Sequence, residues 1–363
     1  MLRRPAAILA VLLLAGVLAG CQTLTLLPDG RALVIAGARA ELIDPVAGTR
    51  TVIPAPAVAR IAHSATLLAD GRVLLAGGAD ENAPLGSAEL LAADASGFSA
   101  TGDLVEPRSL HTATLLADGS VLLVAGGLVS QEQEVPPLAS AERYDPASGT
   151  FSATGSLAEG RVLHTATLAP DGSVVVIGGS GGRLFLAPIE RYDPASGTFS
   201  VIGELPRGRA VHTATLLPDG RILVAGGLEI VGKVKKGEDP DNIAIATTLL
   251  VDPVTGTVTE GPKMSTARAG HVAVALADGR VLIAGGVNAD TEEIRSAEIY
   301  DPATGTFSET GRLTAPRTTA SAQLLPDGRI LVVGLIQGET EDEMAIGVEI
   351  YDPASGTFSA IGG

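Results

Sequence analysis

The chain has 363 residues, a formal net charge of −16, 46% hydrophobic but only 3% aromatic residues, no Trp and a single Cys. Acidity of this order argues against nucleic acid as a partner and against adhesion to an anionic lipid face, and one Cys excludes a disulfide framework. With so few aromatics the core must be built from Val, Leu, Ile and Ala, a composition that suits strands.

The first predicted element lies outside the fold. Met1-Leu-Arg-Arg-Pro5 precedes an apolar run from Ala6 to Gly20, the layout of an export signal, so residues 1–20 are expected to be removed. Loss of Arg3 and Arg4 would leave a charge of −18. Leu18-Ala19-Gly20-Cys21 resembles the lipobox of bacterial lipoproteins at all four positions. The resemblance implies acylation of Cys21, which consumes the only thiol and leaves the domain without a disulfide, a thiol nucleophile or a thiolate metal ligand. At ~0.8 kcal/mol per buried CH₂, two or three acyl chains anchor far more tightly than one myristoyl chain. No other segment is apolar enough to span a bilayer. Gln22, rather than Asp, after the Cys is consistent with outer-membrane delivery where the host has such a membrane.

From Cys21 to Gly363 one repeat dominates. The run from His212 to Gly227, His-Thr-Ala-Thr-Leu-Leu-Pro-Asp-Gly-Arg-Ile-Leu-Val-Ala-Gly-Gly, recurs with its Asp-Gly pair at Asp29, Asp70, Asp118, Asp171, Asp219, Asp278 and Asp327. Successive spacings are 41, 48, 53, 48, 59 and 49 residues. Apolar runs flank each Asp-Gly, which predicts a hairpin with glycine at positive φ joining a first and a second strand. The second strand is expected to end in Gly77-Gly78, Gly126-Gly127, Gly178-Gly179, Gly226-Gly227 or Gly285-Gly286, where a missing Cβ permits close backbone approach. Units one and seven carry Gly37-Ala38 and Gly334-Leu335 instead. A third strand such as Ala141-Glu-Arg-Tyr144 leads into the turn Asp145-Pro-Ala-Ser-Gly149 and a fourth strand through Phe151. That turn recurs at Asp44, Asp193, Asp252, Asp301 and Asp352, and decays in unit two to Ala92-Ala93-Asp94.

Four short strands repeated seven times predict an all-β fold, a seven-bladed β-propeller with four antiparallel strands per blade, as one domain over residues 21–363. The Arg-x-x-His, Gly-Gly, Tyr-Asp-Pro and Gly-Thr-Phe elements resemble bacterial kelch repeats, related in architecture to the propeller of galactose oxidase, over about residues 22–363. Phe stands where the kelch fourth strand usually carries Trp. Galactose oxidase chemistry needs a copper site with a Tyr crosslinked to Cys, which a single Cys already assigned to lipid does not supply. No cofactor is expected.

All five histidines, His63, His111, His164, His212 and His271, stand seven residues before the hairpin Asp, at the start of the innermost strand near one mouth of the channel. Such a partial ring suits either a metal or pH-responsive collar or a residue that caps its own blade. Gln22 and Ala320 occupy the position in units one and seven, and no carboxylate adjoins the histidines in sequence. The structural role is therefore expected and no metal site is assigned. Three residues earlier lie Arg60, Arg108, Arg161, Arg209, Arg268 and Arg317, while the third strands carry Glu41, Glu89, Glu142, Glu190, Glu298 and Glu349. The near match predicts ion pairs within each blade rather than an anion-binding ring.

The units differ from one another between strands two and three, at 79–86, 128–139, 180–188, 228–247, 287–295 and 335–347. These loops fall on the face where the innermost strands begin. The candidate ligand-binding residues are Glu132, Glu134, Phe185, Lys235, Lys236, Glu238, Asp239, Asp241, Asp290, Glu292, Glu293, Glu341, Asp342 and Glu343. Acidic tips suit a basic protein segment; Ca²⁺ is compatible with them, although no Asp-x-Asp-x-Asp-Gly spacing is present. Phe185 is the one aromatic in these loops, which ranks sugars below a protein or peptide. No catalytic set is assigned. The expected function is a lipid-anchored envelope module that binds a protein or peptide through these loops; the alternative is a carbohydrate-binding or sugar-isomerising propeller enzyme. The first strand, Leu24-Thr-Leu-Leu27, lacks the Arg and His of its siblings and is expected to fray or detach as a tether for the anchor.

Overall fold

The computed structural model describes residues 22–361 apart from 82, 128–135, 233–239, 291, 318 and 338–343. Seven antiparallel sheets, each four-stranded and each built from one continuous stretch, occupy 23–53, 64–100, 112–156, 165–204, 213–260, 272–312 and 321–360. In blade 4 the strands are Thr165–Leu168, Val174–Ile177, Pro188–Asp193 and Thr198–Glu204, paired in sequence order. Blade 5 carries an additional hairpin, Leu228–Ile230 with Asn242–Ala244, between its second and third strands.

The sequence pattern of each strand follows its distance from the axis. Second strands such as Val121–Val124 and Val174–Ile177 are buried at every position because both faces of the sheet are covered by neighbouring blades. Alternate residues therefore serve opposite neighbours. Val174 and Val176 pack with Leu122 and Val124 of blade 3, whereas Val175 and Ile177 pack with Ile222 and Val224 of blade 5. Farther out, Tyr144, Tyr192, Tyr300 and Tyr351 stack obliquely on Phe151, Phe199, Phe307 and Phe358, with ring centroids 4.7–5.1 Å apart. Three of these phenols also meet a threonine hydroxyl of the preceding blade at 2.8–2.9 Å: Tyr144 with Thr101, Tyr192 with Thr154 and Tyr351 with Thr310. Phe in place of Trp thus leaves an aromatic pair, and the tyrosine of that pair adds an inter-blade bond.

Two expectations are corrected. In blade 3 the paired glycines are out of register. The first position of the pair lies seven residues after the hairpin Asp, where Gly77, Gly178, Gly226 and Gly285 adopt φ of 58–71°. Blade 3 places Ala125 there, at φ 58°, and Gly126 is the counterpart of Gly78. A Cβ on Gly77 or Gly178 would meet the next blade's arginine carbonyl at 2.5 Å, so Ala125 bears both left-handed strain and crowding. Relief of that strain, ~1–2 kcal/mol, outweighs the entropy cost of a glycine, ~0.5–1 kcal/mol. Ala125→Gly is therefore expected to raise unfolding free energy by about 0.5–1 kcal/mol, which a urea titration of both proteins would measure.

The first strand does not detach. Thr23–Leu26 pairs in full register with Ala32–Ile35, and Gln22, only 5% exposed, closes the ring. Its Nε2 donates to the carbonyls of Thr319 (3.0 Å) and Val333 (3.3 Å) in blade 7, while its own carbonyl accepts from Ser321 Oγ at 3.2 Å. Gln323 completes the seam by accepting from the amide of Leu26 at 2.6 Å. The missing Arg and His are thus replaced by two glutamines that occur where blade 7 meets blade 1.

Candidate functional site

The mouth face is built from three layers: a buried charged layer, a ring of imidazoles, and the loops above them. In the charged layer Arg60, Arg108, Arg161, Arg268 and Arg317 pair with Glu89, Glu142, Glu190, Glu298 and Glu349 of their own blades. The blade 3 pair illustrates how complete the satisfaction is. Arg108 donates to Glu142 at 2.6 Å and to the carbonyls of Ala125 (2.7 Å) and Ser140 (2.9 Å). Glu142 accepts in addition from the amides of Val105 and Glu106 at 2.6 and 3.0 Å. Neither ion retains capacity for a ligand.

The two blades that break the pattern restore the pair from other positions. Blade 1 has Glu41 but no preceding Arg, and Arg50 of its fourth strand supplies the guanidinium at 2.6 Å, with Arg39 as a second partner. Blade 5 has Arg209 but Leu249 at the third-strand position; Glu229 of the additional hairpin supplies the carboxylate at 3.1 Å. On the opposite face a similar exchange occurs. Arg31, Arg72, Arg221, Arg280 and Arg329 bind the hairpin Asp two residues before them. Blades 3 and 4 place Ser120 and Ser173 there, and Arg143 and Arg191 reach across from the third strand to Asp118 and Asp171.

The histidines are inter-blade staples. Nε2 of His63, His111, His164, His212 and His271 lies 2.9–3.0 Å from the hydroxyl of Thr23, Ser64, Thr112, Thr165 and Thr213, each the first strand residue of the preceding blade. In His63 Nδ1 faces the carbonyl of Arg60 at 3.1 Å, so Nδ1 carries the proton and Nε2 accepts from the hydroxyl. Where blade 7 has Ala320 in place of His, blade 6 has Val272 in place of the hydroxyl, and the two join one apolar cluster. Burial, reinforced by the adjacent arginine, pushes all five imidazoles down to about 3, so they are neutral. Sequence reading placed the ring correctly but missed the hydroxyls; the paired loss at Val272 and Ala320 was the available signal. Among the described residues no group of three His, Cys, Asp or Glu could hold a metal ion.

Immediately before the histidine position, Ala62, Leu110, Leu163, Val211 and, ahead of Ala320 in blade 7, Thr319 take left-handed φ of 52–58°, and Gly270 takes 64°. Their backbones link blade to blade: Leu110 donates to Ala62, Val211 to Leu163, Gly270 to Val211 and Thr319 to Gly270, at 3.0–3.2 Å. This collar, with half-buried Leu110, Leu163 and Val211, rims the channel. The strained φ values persist because the bonds around the ring over-determine them.

Of the loop candidates, Phe185 is half-buried against Leu228, Ala244, Ala269 and Val287 and so serves the packing of its loop. Asp241, Asp290, Glu292 and Glu293 are exposed on the mouth face. Asn288 organises the blade 6 loop by accepting from the amides of Asp290 and Glu292 at 2.9 Å. Glu132, Glu134, Lys235, Lys236, Glu238, Asp239, Glu341, Asp342 and Glu343 lie outside the described residues, as does Cys21. Sequence reading missed Arg207, 73% exposed by its side chain, which lines an open groove of about 520 Å³ with Phe185, Glu229, Ile230 and Val231.

Fold and face together define a seven-bladed β-propeller. The Kelch motif matches residues 161–206 and 268–313, in blades 4 and 6. Solved structures that share the fold include two of different kinds. A fungal alcohol oxidase of the AA5 family, in complex with copper, is 18% identical with a TM-score of 0.71, covering 93% of this chain and 76% of that one. The structure of YjhT is 14% identical with a TM-score of 0.64, covering 80% of this chain and 97% of that one. No curated protein matches the sequence.

Proposed function

We propose that the protein is a membrane-anchored, non-enzymatic binding module, acylated at Cys21 after removal of residues 1–20, which engages an envelope protein or peptide through the loops between its second and third strands. The observation that carries this reading is the division between repeated and unrepeated residues. The repeated arginines and glutamates pair with one another and each histidine Nε2 binds the preceding blade, even where blades 1 and 5 must recruit substitutes. What remains individual to each blade is its mouth-face loop, and loops held on a rigid scaffold are where propellers place recognition. The exposed carboxylates Asp241, Asp290 and Glu292 give that face an acidic character suited to a basic segment.

The test compares the soluble 22–363 domain with a variant in which 231–241 and 338–343 are each replaced by Asn-Gly. These cuts keep Glu229 and the paired hairpin strands, so the Arg209 ion pair survives. A partner captured from native envelopes by the intact domain and lost by the variant is the expected result; equal capture by both would remove the loops as the site. For the anchor, Cys21→Ser is expected to release the protein from membranes and abolish incorporation of labelled palmitate.

A further inference from the structure

Gln22 is fixed at the mouth itself. Gln22 is locked to Thr319, Val333 and Ser321 of blade 7, and Thr23 is already paired with Ile35 while its hydroxyl holds His63. A peptide unit spans ~3.8 Å between Cα atoms, so the residue that carries the acyl groups is fixed one peptide unit from the held Gln22. No residue is left over for a linker. By repeat position residue 21 is also the counterpart of Ala62, Leu110, Leu163, Val211, Gly270 and Thr319, the collar residues.

Resting on the acylation of Cys21 proposed above, we infer that the propeller lies mouth-down, with its collar and its loops between strands two and three against the bilayer and its Asp-Gly hairpins pointing away. A flexible linker would let the domain tumble over many orientations; here the anchor leaves the collar directly, and only one face can meet the lipid. Leu110, Leu163 and Val211 set apolar surface around the point where the acyl chains emerge. Around that centre the exposed Glu81, Asp241, Asp290 and Glu292 would face the headgroup layer, where anionic lipid repels them. The loops are thereby placed to meet a basic segment of a protein embedded in the same membrane rather than a soluble protein arriving from the aqueous side.

The test uses the full chain, processed in a lipoprotein-competent host, purified in detergent and reconstituted into phosphatidylcholine vesicles containing nitroxide-headgroup lipid. Bimane is attached at Glu81→Cys or Glu292→Cys on the mouth face, and at Val46→Cys or Val254→Cys in the exposed turns of the opposite face. Quenching at least threefold greater at the mouth positions is expected; equal quenching on both faces, or more at Val46 and Val254, overturns the orientation. A ten-residue Gly-Ser insertion between Cys21 and Gln22 is expected to equalise the two faces while vesicle flotation is retained. Asymmetry that survives the insertion overturns direct attachment as its cause. Failure of the underlying reading is visible separately, as an unacylated Cys21 in the intact mass together with loss of flotation.

Discussion

Lowering the pH from 8 to 5 is expected to remove most of the protein's stability through its histidines. The folded state holds five imidazoles at about 3 because they are buried beside arginines, whereas the unfolded chain titrates them near 6.5. A base with a depressed folded pKa binds its proton preferentially in the unfolded state. Its contribution is complete above pH 6.5 and is lost progressively as pH falls toward 3. At pH 5 the loss is about 2 kcal/mol per histidine, and five of them sum to about 10 kcal/mol, the size of a typical domain's whole stability. Urea titrations at pH 8, 7, 6 and 5 would measure it. A free energy of unfolding that stays level down to pH 5.5 would show the imidazoles to be solvated. The same experiment distinguishes this ring from a pH switch, because protonation here opens blade junctions instead of adding charge to an intact surface.

The second large effect concerns the buried charged layer. Glu142→Ala is expected to cost about 3–5 kcal/mol, because it takes from the Arg108 guanidinium its one buried carboxylate, leaving only the exposed Glu106 at 3.9 Å, and strips the acceptor from the amides of Val105 and Glu106. Tm should fall by roughly 4–7 °C. Glu229→Ala makes the comparison informative. Its carboxylate sits on the additional hairpin and retains some contact with water, at 12% exposure against 1% for Glu142. Water can reach Arg209 when the carboxylate is gone, so a loss of about 1–2 kcal/mol is expected. Equal losses at the two positions would mean that the hairpin is as firmly part of the core as the third strand.

The comparison of sequence with structure is instructive at particular residues. The seven Asp-Gly pairs carried the blade count and loop face, because a tight turn between apolar runs constrains register on both sides. Blade 3 misled for a physical reason: paired glycines stand out in a sequence, but the left-handed position is set by distance from the turn, and Ala125 occupies it at a cost. The first strand was misjudged because it lacks the Arg and His of its siblings, while the residues that hold it, Gln22 and Gln323, have no counterpart in other blades and so no repeat signal. Ion pairs were legible where both partners repeat and illegible in blades 1 and 5, where Arg50 and Glu229 come from positions the repeat does not mark. The loop carboxylates were named from composition, which reports chemical character but not which of them share a surface.

The imidazole bond is absent from two of the seven junctions, and both border blade 7. On one side Val272 meets Ala320, and on the other the glutamine seam joins blade 7 to blade 1. Near neutral pH the ring therefore has a preferred place to part. Blade 7 is expected to open first as one cooperative unit, since its sheet is complete within 321–360, leaving six blades stapled as an open arc. Amide hydrogen exchange in blade 7 would then run ahead of the rest of the molecule, and the propeller behaves less as a rigid disc than as a clasped bracelet.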